Sequence, residues 1–238
     1  MSSTRIRLLI LASILGLLTA VQPSFAKPQQ SLRYRKGKFI TLFNGKNLDG
    51  WTPMGAQDWS VHNGLLITQG QGGWLRSNRM YRDFELQLDF RMSPSHATDI
   101  NSLTNSGVML RSTLDGNPSF TGMEIQIIDD HGRSFGVQGC GALYGAVAPS
   151  INVTKPANQW NHYDITLVGE HLIVKLNGHT IINLPNLDDP KVNKGIEGPP
   201  FWQRAQEGYI GLQSHTNEVD FRHIRIRVFS PVGNSGRP

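Results

Sequence analysis

The sequence predicts an all-β protein, an antiparallel sandwich. Three observations carry the prediction: recurrent period-two alternation of apolar and polar residues, near absence of helical periodicity, and Asn-Gly or Gly-containing turns at hairpin spacing. The clearest strand is Phe84-Glu85-Leu86-Gln87-Leu88-Asp89-Phe90-Arg91-Met92, which sends its apolar side chains to one face and its polar ones to the other. One face of such a strand must be buried, and a second sheet buries it most economically. The 25 Gly and 13 Pro suit many short strands joined by tight turns.

The first residues stand apart from this pattern. Arg5 and Arg7 precede an apolar run from Leu8 to Ala20, then Pro23 and Ser24-Phe25-Ala26. A basic start, a short apolar stretch and a small-residue cleavage site are the marks of a secretory signal peptide over 1–26. The apolar run falls short of the ~20 residues a membrane helix needs. Export to the periplasm or the extracellular space follows, with no transmembrane span left after cleavage. A basic lead-in over 27–37, with Arg33, Arg35 and Lys36, reads as a solvated tail. The formal net charge is +5, yet no helix or aromatic ladder supports nucleic-acid binding.

From 38 to 229 no linker interrupts the pattern, so one domain is expected. Asn63-Gly64 joins Trp59–His62 to Leu65–Thr68 as a two-residue hairpin. The same grammar at Gly169-Glu170 and Asn177-Gly178 makes three consecutive strands from Tyr163–Val168, Leu172–Leu176 and Thr180–Leu184. The last strands fall at Gly208–Gln213 and Val219–Val228, and residues 230–238 read as a disordered tail. Two long loops, Asp130–Gly141 and Asp188–Glu207, either carry binding residues or only cover sheet edges. Cys140 is the only cysteine. It can form no intramolecular disulfide and is read as an incidental apolar residue.

The run Glu124-Ile125-Gln126-Ile127-Ile128-Asp129-Asp130 carries polar groups where a plain core strand carries none. Glu124 and Gln126 share one face, and a one-residue bulge would bring Asp129 to the same side. Such a set suits acid/base work or metal ligation; an exposed edge strand with solvated polar residues explains it as well. Arg111, on the expected neighbour Asn105–Ser112, could lie across from Glu124 or Gln126, either as an anion-binding fork or as a salt bridge that only satisfies the face. His215 follows a strand in the polar segment Gln213-Ser214-His215-Thr216-Asn217, a placement for proton transfer or ligation. No nucleophile elbow, Walker loop, His-Glu-x-x-His helix or cysteine-rich zinc pattern is present. The remaining set fits carbohydrate chemistry better than acyl or phosphoryl transfer.

The chain resembles the 3-keto-disaccharide hydrolase family from about residue 38 to 229. The resemblance is carried by Leu42-Phe43-Asn44-Gly45-Lys46, Gly73-Trp74-Leu75, Asn105-Ser106-Gly107-Val108, Gly122-Met123-Glu124-Ile125-Gln126, Gln159-Trp160-Asn161 and Phe221-Arg222-His223-Ile224. It implies a concanavalin A-like jelly roll and action on glycosides oxidised at C3, with a sugar 3-oxidoreductase upstream to supply the ketone. The Glu-x-Gln-x-x-Asp run is also similar to the Glu-x-Asp-x-x-Glu strand of laminarinase-like glycosidases, with an amide in the middle position here. Members of the family that the chain resembles usually read Gln-Asp-His-Gly where this chain has Gln213-Ser214-His215-Thr216.

A C3 ketone acidifies C2–H, so a base can remove that proton, the enolate can expel the C1 aglycone, and water can add back. On this expectation His215 or Glu124 is the base. Arg111, or a divalent metal ion held by Glu124, Asp129 and His215, stabilises the enolate. Gln126, Tyr144 and Asn105 position sugar hydroxyls, and Trp202 stacks on a pyranose face. The competing expectation is a lectin-like carbohydrate-binding module, because one fold serves many functions.

Overall fold

The structure, a computed structural model, describes residues 34–95 and 97–232. The expected signal peptide at 1–26, most of the lead-in and the end of the tail lie outside the described residues. Among those described, the strands form two antiparallel sheets. The larger has nine strands, with the order β12 (His179–Leu184), β11 (His171–Leu176), β10 (Asn161–Val168), β7 (Phe84–Met92), β14 (Val219–Pro231), β5 (Leu65–Thr68), β4 (Trp59–His62). The short strands β1 (Tyr34–Lys36) and β2 (Ile40–Thr41) also pair with β14. The smaller sheet runs β3 (Trp51–Met54), β6 (Trp74–Tyr81), β13 (Gly208–Gln213), β8 (Asn105–Ser112), β9 (Met123–Ile128).

Alternation decides what each sheet buries. Leu86, Leu88, Phe90, Ile165, Leu167 and Phe221 from the larger sheet meet Leu75, Val108, Leu110, Ile125, Ile127 and Leu212 from the smaller, and all are fully buried. On the outer face of the larger sheet, β7 and β14 set opposite charges side by side. Arg227 pairs with Glu85, Arg222 Nε lies 3.2 Å from Asp89, and Arg91 Nη2 lies 2.6 Å from Asp220. The Asn63-Gly64 hairpin forms as expected, with φ of 50° and 80° at its two residues, the left-handed pair that a primed turn requires.

The sandwich reaches past both expected limits. Tyr34 pairs with Pro231 and Lys36 with Phe229, so part of the lead-in and the start of the tail are strand. The backbone groups at the end of β14 need partners, and the lead-in supplies them. Lys36 Nζ also sits 5.5 Å above the Phe229 ring.

Candidate active site

β9 ends the smaller sheet, yet each of its residues is buried. Residues 141–144 run along its free edge and satisfy it. Gln126 N donates to Ala142 O at 3.0 Å, Gly141 N to Gln126 O at 2.8 Å and Tyr144 N to Glu124 O at 3.0 Å. The polar residues of β9 are therefore not a solvated edge. Ile125 and Ile127 enter the core, and Glu124 and Gln126 take the outer face of the smaller sheet.

Two glycines open that face. Gln126 pairs with Gly107, Glu124 with Met109, and Met109 in turn with Gly211. A Cβ at Gly107 would lie 2.0 Å from Glu124 Oε1, and one at Gly211 would lie 2.3 Å from the Trp74 ring. Glu124 thus lies across Gly107 and Trp74 across Gly211, each filling space that only a missing side chain provides. Glu124 is 4% exposed, flanked by Met109 and by Ser119, whose hydroxyl reaches it from the short helix α1 (Pro118–Thr121). Burial pushes its carboxyl up to about 7, against the smaller lowering effect of the Ser119 bond.

Beside this floor a pocket of about 360 Å³ opens between Trp74, Gln213, Ser214, His215, Asn117 and Pro118. His215 is the ionisable side chain in its wall. Its Nδ1 lies 2.7 Å from Thr216 Oγ1, and burial of the ring lowers its pKa, which favours the neutral imidazole near neutral pH. The Gln213 Oε1 and Asn105 Oδ1 atoms are buried without a partner among the described residues; Gln213 lines the pocket, and Asn105 does not.

Ser214, where the resemblance led to the expectation of an acid, donates to Asp58 Oδ2 at 2.6 Å. Asp58 also accepts from Thr68 Oγ1 and Gln71 N, both at 3.0 Å. These bonds hold its carboxyl below the usual range although burial opposes them. Asp58 and Trp74 are site elements that the sequence reading missed. The only signal was the Gly-Gly-Trp spelling at 72–74, which marks a close backbone approach but no chemistry.

Several expected residues stand elsewhere. Arg111 does not face Glu124 or Gln126. The β8–β13 register shifts between Tyr209 and Gly211, and Arg111 adopts φ of 52°, which rotates its side chain off the face. Its guanidinium bonds Asp83 Oδ1 at 3.2 Å, Arg82 O at 2.7 Å and Gly169 O at 2.9 Å. Burial lowers its pKa to about 10, with Asp83 opposing. It is a structural pair.

Asp129 also leaves the set. β9 keeps an unbroken register with β8 from Leu110–Met123 to Asn105–Ile128. Without a bulge, Asp129 falls on the opposite side from Glu124, where it accepts from Ser95 N at 3.4 Å. Among the described residues no group of three or more His, Cys, Asp or Glu side chains is arranged to hold a metal ion. Glu124, Asp129 and His215 therefore do not fit the divalent ion expected between them.

The remaining positions divide. Gln126 and Asn105 sit on the site face, on adjacent strands. The Tyr144 main chain is bonded to Glu124, and its side chain lines a neighbouring pocket of about 100 Å³ with Phe120, Gln138 and Arg204. Trp202 is 46% exposed on a turn and lines neither pocket. Cys140 is buried, its thiol pushed up to about 12 by burial, 3.4 Å from the Tyr163 hydroxyl, as an incidental core residue should be.

Comparison with known proteins places the chain in a family and a fold. Residues 38–227 match the model of the 3-keto-alpha-glucoside-1,2-lyase-like domain. A 3-keto-disaccharide hydrolase of Bacteroides thetaiotaomicron is 23% identical over 80% of this chain and 78% of its own length. Two solved structures of candidate glycosyl hydrolases from Parabacteroides distasonis share the fold. One is 29% identical, with a TM-score of 0.68, covering 81% of this chain and 100% of that one. The other is 20% identical, with a TM-score of 0.69, covering 81% and 94%.

Proposed function

The chain belongs to the 3-keto-alpha-glucoside-1,2-lyase-like domain family, and we propose that it cleaves the glycosidic bond of 3-keto-glycosides or 3-keto-disaccharides by elimination and hydration. One observation carries the reading: the His215 imidazole lines a polar pocket whose wall includes Asn117 and Pro118, and the next residue of that segment, Ser119, bonds the buried Glu124 carboxyl, which burial raises to about 7. Pairs of titratable groups whose surroundings set their protonation apart are how acid and base roles are divided at one pH.

In the proposed sequence the ketone at C3 acidifies C2–H. His215 Nε2 takes that proton, and the electron pair of the broken C–H bond becomes the C2–C3 enolate. The enolate collapses to form the C1–C2 double bond, the C1–O bond breaks, and the aglycone leaves with a proton. Water then adds at C1 and a proton returns to C2, giving the free 3-keto sugar. His215 is the base because it lines the pocket, whereas Glu124 is buried beside it. Glu124 in its protonated form serves as the acid beneath the site. Gln213, Asn105 and Gln126 bond sugar hydroxyls, and Trp74 forms the apolar wall.

The elimination requires the ketone, so an oxidation at C3 of the sugar must come first. We further propose that the protein is exported with the 1–26 segment removed, which the mass of the mature N-terminus would test. The decisive experiment is product analysis after incubation with 3-keto-glucosides and 3-keto-trehalose. Turnover that falls by orders of magnitude in His215→Ala and Glu124→Gln supports the scheme. Wild-type rates in both variants sink it, and saturable glycan binding without product makes the chain a binding module instead.

A further inference from the structure

The opposite side of the sandwich carries a second cluster that the proposed chemistry does not use. On the outer face of the larger sheet, Asp89 sits on the central strand β7. Its Oδ1 lies 2.7 Å from His162 Nδ1 on β10, and its Oδ2 lies 2.8 Å from His223 Nδ1 on β14. Arg222 Nε adds a third contact, to Oδ2 at 3.2 Å.

Those contacts fix the orientation of both rings. A carboxylate oxygen accepts, so each imidazole presents Nδ1–H to it. In the neutral ring the lone pair is then on Nε2. This is the arrangement in which a carboxylate orients a metal-binding histidine through its far nitrogen.

The backbone is shaped to produce it. His162 stands directly opposite Asp89 in the β10–β7 pairing. On the other side the β14–β7 register shifts between Arg222 and Arg225, and His223 adopts φ of 53°, a left-handed conformation rare outside glycine. The bulge turns two consecutive side chains, Arg222 and His223, toward the same carboxylate while Ile224 enters the core. A regular strand would have sent residue 223 inward.

Exposure follows the same design. The Asp89 side chain is 15% exposed, against 44% for His162 and 70% for His223. The carboxylate is recessed and the rings stand at the mouth of a pocket of about 490 Å³, bounded across from them by Phe43, Asn44 and Gly45.

We propose that His162 and His223, held by Asp89, bind an imidazole-preferring divalent ion, Zn²⁺, Cu²⁺ or Ni²⁺, through their two Nε2 atoms, with solvent completing the coordination. Both Asp89 oxygens are occupied by the rings, so Asp89 acts as a positioning residue and the protein supplies two ligands. Nitrogen ligands of this type suit these ions rather than Mg²⁺ or Ca²⁺.

The test uses the full chain after treatment with chelator. Calorimetric titration with Zn²⁺ and Cu²⁺ should show one equivalent bound, and the Cu²⁺ electron paramagnetic resonance spectrum should show coupling to two nitrogens. His162→Gln and His223→Asn should each leave one nitrogen and weaken binding at least tenfold; Asn keeps the left-handed backbone that residue 223 needs. Asp89→Asn should weaken binding about 10–100-fold with both nitrogens retained. No stoichiometric binding by the wild type, or binding that survives in the His162→Gln/His223→Asn double variant, overturns the proposal.

Discussion

Glu124 lies across Gly107, its Oε1 occupying the place where a Cβ at that position would come within 2.0 Å. The sheet position of Glu124 would be the same with any residue at 107. What the glycine adds is room for the carboxyl to lie flat against the strand instead of rising into α1. This couples a residue with no chemistry of its own to the acid of the proposed site.

Gly107→Ala should therefore act on turnover more than on stability. Gly107 is not in a left-handed conformation, so the backbone accepts alanine, and the strain falls on the Glu124 side chain. Overpacking of this kind costs about 1–3 kcal/mol. Displacing an acid by about 1 Å can cost 10²-fold in rate. Melting curves together with kcat on a 3-keto-glucoside check this; a variant that melts early and turns over normally would show that the Glu124 position is unimportant.

The elevated Glu124 pKa predicts a pH dependence of stability with a definite sign. The folded value of about 7 lies above the ordinary value of 4.5, so the native state binds the extra proton between them. Stability is full below the lower value, falls as pH rises through the window, and is level above about 7. The total change is on the order of 3 kcal/mol. Glu124→Gln should remove the slope, as urea titrations at pH 4.5, 6 and 8 would show.

The same two groups predict a bell-shaped rate profile. His215 must be neutral, and burial lowers its pKa from 6.5, so the acid limb falls below that value. Protonated Glu124 is lost near 7, which sets the alkaline limb. In residual-activity measurements His215→Ala should lose the acid limb and Glu124→Gln the alkaline one. A profile unchanged in either variant removes that residue from its role.

Most of the fold was legible because alternation along β7, β10 and β11 is nearly perfect and the Asn-Gly turns are unambiguous. The polar face of β9 was legible for the same reason, and Glu124 and Gln126 stand where alternation puts them. What was not legible depends on backbone events with no spelling in the sequence. The left-handed residue at Arg111 rotates it to Asp83, and the absence of a bulge after Ile128 leaves Asp129 across the sheet from Glu124. The limits of the domain were hidden differently: Tyr34–Lys36 is too short and too charged to read as strand, and it forms only because β14 offers an edge.

Arg111 and Asp83 should behave as a buried structural pair. Removing one partner leaves an uncompensated charge, so Arg111→Met should cost about 3–5 kcal/mol. Adding Asp83→Leu should recover part of that loss, because the second charge is removed as well. A double-mutant cycle by denaturant unfolding measures the recovery; a double variant at the sum of the two single losses would mean that the pair is not coupled.

Arg204 extends the same reasoning to the long loop 188–207, which lines the neighbouring pocket. It is buried with no carboxylate partner among the described residues, and burial lowers its pKa to about 10. Its guanidinium instead bonds four carbonyls: Pro199 at 2.7 Å, Glu197 at 2.7 Å, Gly122 at 2.6 Å and Ser119 at 3.4 Å. It therefore ties loop 188–207 to α1 and to the start of β9, two residues before Glu124. A forked donor can span these acceptors where an ammonium cannot, so Arg204→Lys should fail to rescue what Arg204→Met loses. Each should cost about 2–3 kcal/mol, from carbonyls left buried and unpaired. Because α1 contributes Asn117 and Pro118 to the pocket wall, KM should rise in both variants more than kcat falls. A lysine variant that matches the wild type in melting temperature and KM would show that charge alone, rather than the fork, holds the loop.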